Sequence, residues 1–256
     1  MRDPWACSSS LPWRSPACGA AVAERVTADP HADSRARIQQ GGLRGAELVQ
    51  WLAALPPAER DRALERLLDI DRPPLDTSCP GDDLIGYIPS GVAAIARAVF
   101  EVPVQPEDLF VDVGAGAGKV AMTAHLLTGA RCLGLEIQPE LVARASDAAL
   151  RLGLRDVSFR QADARTDDLG DGTVMYLYLP FTGPAMATVL DRIRAVALRH
   201  PIVVCALGFE LRRVDVDWLA ARPTDSFWLT IYDSVPGPPR QHRPLLPSLA
   251  ALAQER

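Results

Sequence analysis

Three acids and three glycines carry the chemistry available to this sequence. Asp112 lies near the end of an apolar run, Leu109-Phe-Val-Asp-Val113, and Gly114, Gly116 and Gly118 follow, alternating with Ala115 and Ala117. Glu136 closes a second run, Cys132-Leu-Gly-Leu-Glu136. Asp163 stands just past a third, Val157-Ser-Phe-Arg-Gln161. Runs rich in β-branched residues that end in glycine read as buried strands entering tight turns. Glycine removes a Cβ where backbone must turn sharply or let a ligand come close. In an open α/β sheet the ligand crevice lies outside the carboxyl ends of the strands. A carboxylate after the second strand can accept charge-assisted hydrogen bonds from a pair of hydroxyls. One after the third is placed to accept from an amino group.

The details select among ligands. A dinucleotide fingerprint needs G-x-G-x-x-G, the third glycine letting the helix pack on the strand. Here the glycines fall at 114, 116 and 118, and Lys119 stands where that fingerprint wants its last glycine. Asp112 would sit badly beside a pyrophosphate and suits a cationic ligand. S-adenosylmethionine carries an ammonium and a sulfonium and no phosphate, so it meets these requirements.

With Asp112-Val-Gly-Ala-Gly-Ala-Gly118 as first motif, the chain resembles the class I S-adenosylmethionine-dependent methyltransferases over residues 84–235. The resemblance implies an α/β fold: a doubly wound, mainly parallel, seven-stranded-type sheet with a late antiparallel strand. It implies S-adenosylmethionine as cofactor, with Glu136 as the ribose acid and Asp163 as the adenine acid. Asp112, Gly114, Ala115, Gly116, Ile137, Ala164 and Tyr178 complete the expected cofactor set. The stretch Glu107–Val120 is also similar to the non-SET histone-lysine methyltransferases, a likeness confined to the cofactor half.

Methyl transfer from a sulfonium is an in-line displacement with a good, neutral leaving group. Holding donor and acceptor in line is the protein's main task, worth up to ~7–11 kcal/mol, and no Ser/His/Asp or metal constellation is needed. Candidates for the acceptor side are Tyr178, at the end of a fourth strand, and Tyr87, in a segment that in this fold crosses the mouth of the cofactor pocket. Amino-methylating relatives place Asp/Asn-Pro-Pro-aromatic at the fourth strand's end. This chain has Tyr178-Leu-Pro-Phe181, without the acid or carboxamide. The expected acceptor is therefore a small molecule or a protein side chain. His125, His200, His31 and His242 sit in a helix, before a proline, or in irregular segments, and supply no base.

The elements that position these residues follow from periodicity. Helical patterns run over Ala46–Leu55 and Ala58–Ile70, split by Pro56 and Pro57 and expected to cap the sheet's edge. A Pro-rich linker spans 71–83. Ser90 is the expected N-cap of a helix carrying Val92, Ile95, Ala96 and Val99. Helices are expected from Lys119 to Thr128, from Pro139 to Leu152 and from Pro184 to Leu198. Strands are expected at 132–136, 157–161, 173–179, 201–207 and 227–232. The domain plan is a flexible extension at 1–42, a helical pair at 43–75, the methyltransferase domain at 84–235 and a tail at 236–256.

The 256 residues are 48% hydrophobic and 23% charged, ordinary for a globular chain. The net charge of −5 opposes a general basic face, so nucleic acid is not the expected partner. Five scattered cysteines form no C-x-x-C, and no apolar run reaches the ~18 residues of a membrane span. A reducing, cytoplasmic setting is expected, and the sequence assigns no oligomeric state. Two rival readings are a nicotinamide-dependent oxidoreductase, against which Lys119 speaks, and a non-catalytic scaffold that retains the fold.

Overall fold

The computed structural model describes residues 31–72, 87–178, 183–208, 211–213, 216–224, 226–238 and 252. Residues 1–30 of the expected extension at 1–42, most of the Pro-rich linker and nearly all of the tail lie outside the described residues. So do Leu179–Thr182, beyond the fourth strand.

Seven strands form one sheet: β1 Leu109–Val113, β2 Arg131–Glu136, β3 Val157–Gln161, β4 Val174–Tyr178, β5 Val203–Leu207, β6 Leu219–Ala221 and β7 Leu229–Ser234. Their order is β3-β2-β1-β4-β5-β7-β6. The first five positions are parallel, and β7 runs antiparallel to both β5 and β6. The central strands read as near-continuous apolar runs because both their faces are covered. β1 shows how the faces divide. Phe110 and Asp112 point toward one helical layer, while Val111 and Val113 join the core on the other side.

Helices α4 Val92–Glu101, α5 Lys119–Thr128 and α6 Pro139–Arg151 cover the first face, and α7 Gly183–Ala197 covers the second. The apolar positions read from the sequence are the buried ones: Val92, Ile95, Ala96 and Val99; Leu141, Ala145, Ala148 and Leu152; Val189, Leu190, Ile193 and Val196. Gly129 ends α5 in a left-handed conformation (φ 76°), its N–H bonding His125 O. Pro139 opens α6 at a position that needs no N–H donor.

Several expectations are corrected. Residues 32–39, inside the stretch expected to be flexible, form helix α1. Only Ile38 is buried on it, so its amphipathic signal is weak. Long-range bonds hold it instead: Arg35 donates to the carbonyls of Leu67 and Arg66, and Gln39 to Arg151 O. The helical pair, α2 Gly45–Ala53 and α3 Pro57–Leu67, packs on the α4/α5 layer rather than on the sheet's edge, since Leu48, Leu52, Leu64 and Leu67 join the same core as Val99 and Met122.

Ser90 does not cap α4. Gly91 holds the cap position, and the Val92 N–H donates to Asp61 Oδ1 of α3 at 2.8 Å. Ser90 Oγ instead accepts from the buried Tyr176 hydroxyl at 3.1 Å. β7 begins at Leu229, two residues late. Phe227 and Trp228 lie ahead of it, exposed, as an edge-to-face pair with centroids 5.1 Å apart. The short edge strand β6, Leu-Ala-Ala, carries no alternation that a sequence reading could use.

Candidate active site

The glycine loop between β1 and α5 is pinned by backbone bonds. The N–H groups of Gly114 and Ala115 both donate to Leu135 O, at 2.8 and 2.9 Å. Gly114, Gly116 and Gly118 all take positive φ (85°, 53° and 83°), which side chains resist. Of residues 114–118, Gly114 alone is exposed. At two glycines the chain itself fills the space. A Cβ on Gly116 would stand 2.2 Å from Cε2 of Tyr87, and one on Gly118 would stand 2.5 Å from Cζ of Phe159. A Cβ on Gly134 of β2 would stand 2.4 Å from Cδ1 of the same Phe159 ring. Gly118, not position 119, therefore supplies the close approach of helix and sheet.

Asp112 is 2% exposed. Its Oδ2 is buried with no hydrogen-bond partner. Burial, followed by the charge of Glu136, pushes its pKa up to about 8, and a backbone hydrogen bond from Ala121 in the first turn of α5 partly offsets this. Glu136, also buried, accepts from Gly116 N–H at 2.8 Å through Oε2 and from Gln138 N–H at 3.0 Å through Oε1. These two acids are thus coupled across the glycine loop. Ile137 and Ala164 lie just past Glu136 and Asp163.

Tyr87 belongs to the same place. Burial raises its pKa to about 12, with further increments from Glu65, Asp112 and Glu136, against a hydrogen bond from the Ala117 backbone. Tyr178 is half-buried at the end of β4, two residues beyond Tyr176, which pairs in register with Asp112.

Asp163 is held differently. Arg165 grips both its carboxylate oxygens, with Nη2 to Oδ2 at 2.7 Å and Nε to Oδ1 at 2.9 Å, and holds its pKa below the ordinary carboxylate value. Asp112, Glu136, Tyr87 and the loop glycines thus meet in one place, while Asp163 has an arginine partner that sequence reading did not foresee.

Lys119 was also missed. It is 3% exposed, and its Nζ donates to Asp61 Oδ1 and Glu65 Oε1 of α3, each at 2.7 Å. Its being the chain's sole lysine was the available signal. His125 is structural, with Nδ1 2.8 Å from Ala130 O, and Cys132 and Cys205 are small core residues. Among the described residues, no group of His, Cys, Asp and Glu could hold a metal ion, and no helix is long and apolar enough to cross a membrane.

Residues 110–198 match the family model of a methyltransferase domain. No curated protein matches. Among solved structures, the chain is similar to an RNA methyltransferase from Salinibacter ruber in complex with S-adenosyl-L-homocysteine: 26% identity over 61% of this chain and 100% of that one, TM-score 0.46. It is likewise similar to a precorrin-6y C5,15-methyltransferase from Geobacter metallireducens (19%, 60% and 91%, TM-score 0.41) and to a SAM-dependent methyltransferase from Aquifex aeolicus (14%, 54% and 90%, TM-score 0.40). The matched segment runs from β1 to α7, and the late strand is antiparallel as expected; the chain carries a methyltransferase domain on a Rossmann-like fold, with S-adenosylmethionine as its cofactor.

Proposed function

We propose that the cofactor lies over the glycine loop, with Asp112 and Glu136 at its core, and that the methyl acceptor is a small molecule or a protein side chain. The observation that carries this is the buried, unpartnered Oδ2 of Asp112 beside Glu136. A desolvated carboxylate is costly unless a cation or donor completes it. The cofactor's ammonium is such a group. Gly114 and Ala115 offer backbone approach. Glu136 retains lone pairs for ribose hydroxyls beyond the two it gives to backbone, and Asp163, with Ile137 and Ala164, flanks the adenine.

When bound, S-adenosylmethionine supplies an electrophilic methyl group on a sulfonium. The protein's residues orient and enclose. Tyr87 walls the loop side, and Tyr178 stands where the acceptor arrives, its hydroxyl able to hydrogen-bond the incoming nucleophile. No residue is required to store a proton during the displacement itself, and positioning supplies the rate. Two exposed arginines open to a phosphate backbone pair with acids instead, Arg37 with Glu47 and Arg199 with Asp171. This supports an acceptor other than nucleic acid.

Titration calorimetry with S-adenosylmethionine tests the cofactor site. Asp112→Ala and Glu136→Ala should each weaken binding at least tenfold, and undiminished binding in both refutes the assignment. Transfer of a labelled methyl group to small amines, peptides and transfer RNA, run side by side, tests the acceptor. Label appearing in the RNA alone overturns that part of the reading.

A further inference from the structure

We propose that Lys119 is a positioning residue for the cofactor site, through which helix α3 of the N-terminal segment sets cofactor affinity; this rests on the cofactor-site reading above. The lysine stands directly after Gly118, at the first position of α5. A cation there faces the positive end of the helix dipole and is buried as well, two penalties that only close anionic partners remove. Asp61 and Glu65 supply them. Those acids are four residues apart on one face of α3, where like charges repel, so the ammonium between them also holds α3 together.

The same two carboxylates reach further. Asp61 Oδ1 accepts the Val92 N–H and thereby fixes the start of α4. The segment leading into α4 carries Tyr87, whose ring lies on Gly116. Glu65 is close enough to Tyr87 to raise its pKa. One ammonium and two carboxylates thus tie together α3, the start of α4 with its tyrosine, and the start of α5 with its glycine loop. These elements form the wall against which the cofactor would be held. With the clasp intact the wall is preorganised; without it, ordering that wall falls on the cofactor's own binding energy.

Charge and positioning predict opposite results for Lys119→Met. Removing a positive charge near a cationic ligand would strengthen binding if only electrostatics mattered. Loss of positioning weakens it. Calorimetry with S-adenosylmethionine and S-adenosylhomocysteine on the full chain should show Lys119→Met weakening both at least tenfold and Lys119→Arg recovering most of the loss. Unchanged or tighter binding in Lys119→Met overturns the proposal. If that variant does not fold, Glu65→Gln serves, since Asp61 keeps both its bonds; it should weaken binding several-fold, and no change there overturns the proposal equally. Wild-type binding that is insensitive to Asp112→Ala and Glu136→Ala would instead show that the site itself is misplaced.

Discussion

The Tyr87 ring occupies the space that a side chain on Gly116 would need. An ideal Cβ on residue 116 would lie 2.2 Å from Tyr87 Cε2 and 2.5 Å from Cδ2. The middle glycine of the motif is thus a socket for an aromatic ring that arrives from before α4. With Gly118 and Gly134 both receiving Phe159, the loop is packed from two sides, and its exposed surface is left to Gly114.

Gly116→Ala meets two obstacles, the ring and a φ of 53°. The left-handed conformation alone costs an alanine ~1–2 kcal/mol, and displacing the ring adds to it. The variant should melt several degrees lower and bind cofactor more weakly. Adding Tyr87→Ala removes the clash but not the backbone cost, so the double variant should be more stable than the sum of the single losses predicts. Thermal unfolding of all four proteins measures the difference. Simple additivity would mean that ring and glycine do not share this space.

The N-terminus of α4 gives a second test. A sequence reading places its cap on Ser90, whereas the Val92 N–H bonds Asp61. Asp61→Ala should therefore cost at least the ~0.5–2 kcal/mol of a lost cap, with the loss of a Lys119 partner on top. Ser90→Ala acts by a different route, leaving the buried Tyr176 hydroxyl without its acceptor. Adding Tyr176→Phe to Ser90→Ala should then recover stability, because a missing partner costs more than a missing pair. Denaturant unfolding of the three variants decides. No recovery in the double variant would exclude the hydroxyl pair as the source of the loss.

Asp163 tests whether an acid with an arginine partner still serves a ligand. Oδ1 already accepts from both the backbone N–H and Nε of Arg165, each at 2.9 Å, whereas Oδ2 accepts from Nη2 at 2.7 Å and only shares Nε at 3.2 Å, so Oδ2 is the oxygen with room for a ligand donor. The fork orients the carboxylate and holds it ionised. Asp163→Ala should weaken S-adenosylhomocysteine binding about tenfold, the size of one charge-assisted hydrogen bond, and Arg165→Ala by less. A larger loss from Arg165→Ala would transfer the binding role to the arginine.

The sequence revealed most where burial and periodicity coincide. β1 to β5 and α4 to α7 lie within a few residues of their expected bounds because central parallel strands and core-facing helices write their faces directly into apolar spacing. The acids at the strand ends were legible for the same reason, each standing at or near the point where an apolar run stops. What remained hidden depends on distant partners. The Arg35 bonds that stabilise α1, the Asp61 cap on α4, the Lys119 clasp and the Tyr87 socket each join residues more than 25 positions apart. No local pattern encodes such pairings. The edge strand β6 was hidden for the opposite reason, being three residues with little to bury.

The raised pKa of Asp112, about 8, makes pH the sharpest probe of the site. Unfolded, an aspartate titrates near pH ~4. Between those values the native protein holds a proton that the unfolded chain has lost, so stability should fall as pH rises from about 4 to about 8 and level off above. Asp112→Asn cannot ionise. It should remove this slope and be more stable than the parent above pH 8, while binding cofactor more weakly. Cofactor binding carries the complementary signature. A cation held by Asp112 favours the ionised carboxylate, so binding at pH 7 should release close to one proton from the parent protein and much less from Asp112→Asn. Calorimetry in buffers of differing ionisation enthalpy counts that proton. Equal release from both proteins would mean that the cationic ligand is held by a group other than Asp112.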